Sequence, residues 1–454
     1  MSENNNNLAK KLTFWHVWAL GVGAVVGDGI FVMVGNGAEA AGPAAVLSYL
    51  VAGLLLMCVC MVCCELAVGM PVAGSLHAWS KRMLGPAFGT VAALCNATMN
   101  TVFLGSVGLA TGRISNYFFM WVDDPGLSSL IWSVLLLTIV LLVAMSGGEV
   151  TGKTQLGLIV VLVGIMVAFA VLGIASGKIQ RENYEPFAPF GAPGIIACIG
   201  MAVYSYMGPM SLLTTSEEIK DIRNLPKAMF WAFVTILVIY TIAIAVALGL
   251  VDYKTYGQIA SPFTQAAEFA FGGAAGFAIN FGAWIAAVTC LVGEIFTVSR
   301  LLFGMGREGV VPEGFTKLNK RQVPYRGLFL AYIVGIILIF VEFFGVFPNF
   351  YVMLANVASG LGATTMLLSV ISTVQYQRKF PEEYRSLAWH MPAKGLVVVL
   401  ALIGLAIIFY ALFAADLLLF AFYIGTLAVL CLFHHFYSKP NSAKITQRKQ
   451  EEDA

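Results

Sequence analysis

Charged side chains are scarce along this chain. Only 11% of its 454 residues are Asp, Glu, Lys or Arg, while 59% are hydrophobic. A soluble domain carries roughly a quarter charged residues, so a water-facing surface of ordinary size is excluded. Histidine is scarcer still, with five residues. No paired His and Glu at helical spacing supplies a base or a metal cluster, so an enzyme is not expected, nor a cofactor or metal site. All eight cysteines fall in apolar runs, which implies no disulfide framework. The close set Cys58, Cys60, Cys63 and Cys64 reads as small apolar packing residues. A net charge of +2 points to no nucleic-acid partner.

What fills the chain instead is apolar sequence in long runs. An α-helix needs about 20 apolar residues to cross roughly 30 Å of hydrocarbon. The runs predict an all-α membrane protein of about twelve transmembrane helices, with the lipid bilayer as its solvent. The predicted spans are 14–38, 43–70, 87–121, 128–146, 155–176, 193–213, 228–251, 270–304, 327–347, 350–374, 395–414 and 416–437. The second, third and eighth exceed a straight crossing, which predicts tilt or extension.

Lys and Arg placement predicts orientation. With a cytoplasmic N-terminus, the inner segments hold 22 of the 26 cations, against Lys178, Arg181 and Lys254 outside and Arg113 within a span. Both termini are therefore expected in the cytoplasm, in a multi-pass protein of the cell (inner or plasma) membrane. No cleavage pattern follows the first apolar run, so no signal peptide is expected. The expected division is a cytoplasmic tail over 1–13, a membrane domain over 14–437 and a polar, disordered cytoplasmic tail over 438–454.

Spans 1 and 6 share an interruption. Gly27-Asp28-Gly29 breaks the first and Gly208-Pro209 the sixth, and both residue types disfavour a helix interior. Breaks at matching positions point to inverted repeats, with a solute site at the breaks. Repeat one then covers about 14–176 and repeat two about 193–374, with extra helices over 395–437. The freed carbonyls near Val25 and Val26, and near Tyr204 and Ser205, suit an ammonium group. The half-helix starting near Gly29 offers free N–H groups to a carboxylate. Pro209 suits the first position of a second half-helix. Two merely kinked helices are the plainer alternative.

Four motifs carry a family resemblance. Gly21-Val-Gly-Ala-Val-Val-Gly-Asp-Gly-Ile-Phe31 resembles the first-helix signature of the amino acid–polyamine–organocation (APC) family. Glu65-Leu-Ala with Pro71 and Gly74 resembles its second-helix pattern. Glu217-Glu218-Ile-Lys220 with Arg223-Asn-Leu-Pro226 is similar to its loop after helix 6. Ser299-Arg300 with Met305, Arg307-Glu308-Gly309 and Pro312 resembles its motif after helix 8.

The resemblance implies a LeuT-like five-plus-five inverted repeat with broken helices 1 and 6, and a permease or antiporter. Such a protein is a secondary active transporter or exchanger of amino acids by alternating access, coupled or not to a proton or sodium ion. The alternative is a transporter of amines or polyamines that lack an α-carboxylate, with Asp28 binding the amine. Asp28 stands where the family usually has a small residue, and Met210 where some members have an acid. Some proton-coupled members carry a lysine in helix 5, whereas 155–176 contains no charge.

Ionisable residues inside a membrane are functional candidates. Asp28 can cap the second half-helix, or it can meet a substrate amine or take a proton. Glu294 is expected roughly 15 Å deep, near the midplane, at 1.5 Å per residue. In the family this part of helix 8 lines the side-chain pocket; a protonated acid bonded between helices is the structural alternative. Arg113 is a candidate to neutralise one of these acids. Glu65, nearer the inner face, reads as structural. Tyr204 and Tyr206 are candidates for gate or pocket wall, and packing explains them equally.

Gly147-Gly-Glu-Val-Thr-Gly152-Lys153-Thr154 matches a nucleotide-binding loop. That motif has meaning only between a strand and a helix, and here a short loop between spans is expected.

Overall fold

The computed structural model describes residues 12–453 apart from 28, 73–74, 147, 210–211, 214–215, 217–218, 259–260, 322, 348–349 and 416. Asp28, Gly74, Gly147, Met210, Glu217 and Glu218 thus lie outside the described residues.

The apolar runs do fold as helices. In a bilayer core only internal hydrogen bonding satisfies backbone groups. Ten helical stretches among the described residues are long and apolar enough to cross a membrane. The first crossing is interrupted: α1 (Phe14–Val25), a π-turn at Gly29–Met33, then α2 (Val34–Ala41). A 3-10 turn at Gly42–Ala44 leads into α3 (Ala45–Gly69), and the short α4 (Ser75–Leu84) precedes α5 (Pro86–Ser115). Then come α6 (Pro125–Met145), α7 (Gly148–Ala175) and the shorter α8 (Gly191–Tyr204). The second half continues with α9 (Asn224–Leu250), α10 (Pro262–Phe271), α11 (Gly273–Arg307), α12 (Tyr325–Phe343) and α13 (Phe350–Lys379). The chain ends with α14 (Pro381–Arg385), α15 (Lys394–Ala415), α16 (Leu417–Phe433) and α17 (Lys439–Asp453). The only strand-like pairing among the described residues is one bridge, Leu12 with Ile219.

Three expectations need correction. The eighth predicted span begins at Gly273 rather than 270, because Gly272 (φ +86°) turns the chain and Ala270 and Phe271 close the separate short helix α10. Glycine adopts that left-handed backbone without strain. The nucleotide-loop stretch is helical from Gly148 and follows α6 rather than a strand, so it is no short loop and has no phosphate-binding frame. The polar tail is helical over 439–453 rather than disordered, because it docks on the rest of the chain through contacts described below.

The connecting segments gather at two faces. On one, which we call the basic face, Lys81 reaches Glu308 at 2.5 Å and Arg82 reaches Glu383 at 2.7 Å. Lys379 Nζ donates to the Met83 carbonyl at 2.7 Å, and Lys220 N–H donates to the Leu12 carbonyl at 3.0 Å. On the other face the ties run mostly to backbone carbonyls. Lys178 Nζ caps α10 at Ala270 O (2.6 Å), and Tyr184 OH donates to Ala245 O (2.7 Å).

Candidate functional site

The last helical bond of α1 runs from Val26 N–H to the Val22 carbonyl at 2.9 Å, and Val26 itself is extended (φ −77°, ψ 95°). The chain resumes as the buried π-turn from Gly29. At the other break, α8 tightens as it ends. Ser205, Tyr206 and Met207 donate to carbonyls three residues back, the last to Tyr204 O at 3.4 Å. Leu212 N–H then donates to Pro209 O at 3.0 Å, so a new turn opens at the proline just after Gly208.

The two breaks touch. A Cβ placed on Gly29 would lie 2.6 Å from Ser205 Oγ and 2.8 Å from Ser205 Cα. Only a residue without a side chain allows that approach. Gly27 meets a different helix, its Cβ position lying 3.1 Å from Cys290 Sγ of α11. Glu294 follows Cys290 by four residues, which puts it one turn along the same helix face. It is buried, at 9% exposure.

The consecutive residues Tyr204, Ser205 and Tyr206 face three ways. Tyr204 OH shares a 2.9 Å hydrogen bond with Ser106 of α5, and its ring lies 4.9 Å from that of Phe103. Ser205 faces the first break. Tyr206 lies between Tyr49 of α3 and Tyr240 of α9 with the rings tilted, at 6.4 and 5.3 Å between ring centres. Ser205 Oγ and Tyr206 OH are buried and have no hydrogen-bond partner among the described residues. An unsatisfied buried hydroxyl costs about 1–3 kcal/mol and calls for an explanation.

The Val25 carbonyl is not free. It accepts a hydrogen bond from Tyr240 OH at 3.1 Å, which occupies one of its two lone pairs. Arg113 is likewise committed elsewhere, to Glu342 of α12, with its guanidinium 5.6 Å from the Tyr351 ring. Tyr240, Cys290 and Ser106 were not singled out in the sequence. Cys290 alone had a signal, four residues before Glu294.

The other buried acid is fully paired. Glu65, with no exposed surface, accepts from Tyr384 OH (3.0 Å) and Met391 N–H (2.8 Å) and pairs with Lys394 Nζ (2.6 Å). No group of three His, Cys, Asp or Glu among the described residues could hold a metal ion.

Two interrupted helices meeting at their breaks, inside a bundle of unbroken spans, define a transporter of the LeuT fold. The structure superposes on MhsT in complex with L-phenylalanine with a TM-score of 0.67 at 14% identity, covering 90% of this chain and all of that one. The chain belongs to the amino acid permease family, whose profile matches residues 16–440. It is 26% identical to the branched-chain amino acid permease BcaP of Lactococcus lactis, over 87% of this chain and 88% of that protein. It is 28% identical to the methylthioribose transporter of Bacillus subtilis, over 73% and 75% of the two chains. The protein is thus a multi-pass membrane permease and not an enzyme.

Proposed function

We propose that the protein exchanges amino acids across the cell membrane by alternating access, with the solute held where the two breaks meet. The observation that carries this reading is the Gly29–Ser205 contact, beside which Ser205 Oγ stands buried and without a partner among the described residues. The N–H groups opening at Gly29 take the carboxylate. The ammonium is met by the carbonyls of Val26 and Ser205, Val25 being engaged by Tyr240. Glu294 and Cys290 on α11 face the solute's side chain. The family membership and the relatives named as amino acid permeases support this substrate class.

The repeats over 14–176 and 193–374 rock against each other in this mechanism, with 395–437 outside them and the tails 1–13 and 438–454 in the cytoplasm. The placement of 22 of 26 cations supports that orientation. Proton coupling through helix 5 is disfavoured: α7 meets α1 with Ile159 against Gly23, and 155–176 carries no charge. A second reading, an amine substrate bound by Asp28, is favoured by Glu294, a buried acid one turn from the Cys290 that meets Gly27.

Counterflow in proteoliposomes tests both, with labelled amino acids beside their decarboxylated amines. Exchange confined to molecules with an α-carboxylate is expected. Exchange of the amines alone would transfer the site to Asp28.

A further inference from the structure

Residues 439–453 do not wave free of the bundle. They form α17, and α17 sits on the segment that follows α11. That segment is a tightly specified helix end. Gly309 N–H donates to Gly306 O (3.2 Å) and Val310 N–H to Met305 O (2.9 Å), with Gly309 at φ +71°. These two bonds and the left-handed glycine make a Schellman cap, sealed by buried Met305 and Val310.

The C-terminal segment engages this cap at several points. Ser438, fully buried, donates its Oγ to the Val310 carbonyl at 2.8 Å. A Cβ on Gly309 would lie 2.7 Å from Ile445 Cδ1 and 3.1 Å from the Asn441 carbonyl. Asn441 and Ile445, four residues apart, share one face of α17. The adjoining residue, Glu308, is the hub of the basic face. Its Oε2 accepts from His77 Nε2 at 2.8 Å and Lys81 Nζ at 2.5 Å, both from α4.

We infer that α17 is an internal clamp: docked on Gly309–Val310, it holds the end of α11 where Glu308 can latch α4, and its undocking loosens that latch. A cap fixed on one side by Ser438, Asn441 and Ile445 cannot swing without carrying the Glu308 backbone with it. Any signal that lifts α17 then reaches the α4–α11 junction. The consequence for transport rate rests on the alternating-access reading; the mechanical link does not.

Hydrogen–deuterium exchange of the reconstituted full chain separates the two. Ile445→Asp undocks α17, and a chain ending at Ser438 does the same where the charge is tolerated in place. In either, amides of 75–84 should exchange about five-fold faster. Glu308→Gln should loosen 75–84 equally while 439–453 keeps its protection. Lys444→Gln, on the exposed side of α17, should change neither. Unchanged protection of 75–84 in both the Ile445→Asp and the shortened chain would overturn the clamp, whatever the protein transports.

Discussion

The acids of the basic face and the two hydroxyls at the breaks are satisfied differently. At the basic face the buried Glu65 and the half-buried Glu308 each have several partners. Glu65 has Tyr384, Met391 and Lys394; Glu308 has His77 and Lys81. At the breaks, Ser205 Oγ and Tyr206 OH have none among the described residues. A buried polar group with a full set of partners fixes structure, and one without calls for an explanation. His77 Nδ1 and Ser80 Oγ near the basic face also lack a partner among the described residues, so what singles Ser205 out is its place where the two breaks meet.

The contrast can be broken first at Glu65. Glu65→Ala strands the Lys394 ammonium, whose side chain is 16% exposed, and should destabilise the fold by about 3–5 kcal/mol. The check is monodispersity and thermal unfolding in detergent. Gly29→Ala attacks the other region. Its new methyl group meets Ser205 Cα at 2.8 Å, so the breaks must separate. Exchange should fall at least about 100-fold, as misplacing reacting or binding groups by an ångström does, while the protein still purifies folded.

A smaller effect belongs to pH. Burial alone would raise the Glu308 carboxyl, but the hydrogen bond and charge of His77, then those of Lys81, outweigh it and bring the group from 4.5 to about 2. A group whose folded value is depressed contributes stability that is complete above its unfolded value. That contribution is lost as pH falls from 4.5 toward 2. Wild-type protein should therefore melt at lower temperature as pH falls through this window, and Glu308→Gln should flatten that dependence. Tyr240→Phe is the mildest test. Losing its bond to the Val25 carbonyl should lower stability by about 1 kcal/mol, and the freed carbonyl should alter apparent substrate affinity.

How much of this the sequence disclosed follows from where each signal lies. The breaks at Gly27-Asp28-Gly29 and Gly208-Pro209 were visible because Gly and Pro interrupt helices by local chemistry. Their contact through Gly29 and Ser205 was not, since nothing local joins residues so far apart. Arg113 illustrates the limit. Its partner Glu342 lies 229 positions away, so the two nearer acids in the middle of the bundle looked like its counterions. The ten-residue α10 that ends before Gly272 was not among the predicted spans, because it is too short to cross a membrane. The tail over 439–453 looked disordered by its charge, yet Asn441 and Ile445 give it a docking face.

The most direct test of the central claim is counterflow by Ser205→Ala beside wild type, with unfolding measured on the same preparations. The account predicts a roughly ten-fold loss of apparent amino acid affinity, equal to about 1.4 kcal/mol, with unfolding temperature unchanged or raised. An unchanged affinity with a lower unfolding temperature would contradict it, making Ser205 one more piece of the scaffold.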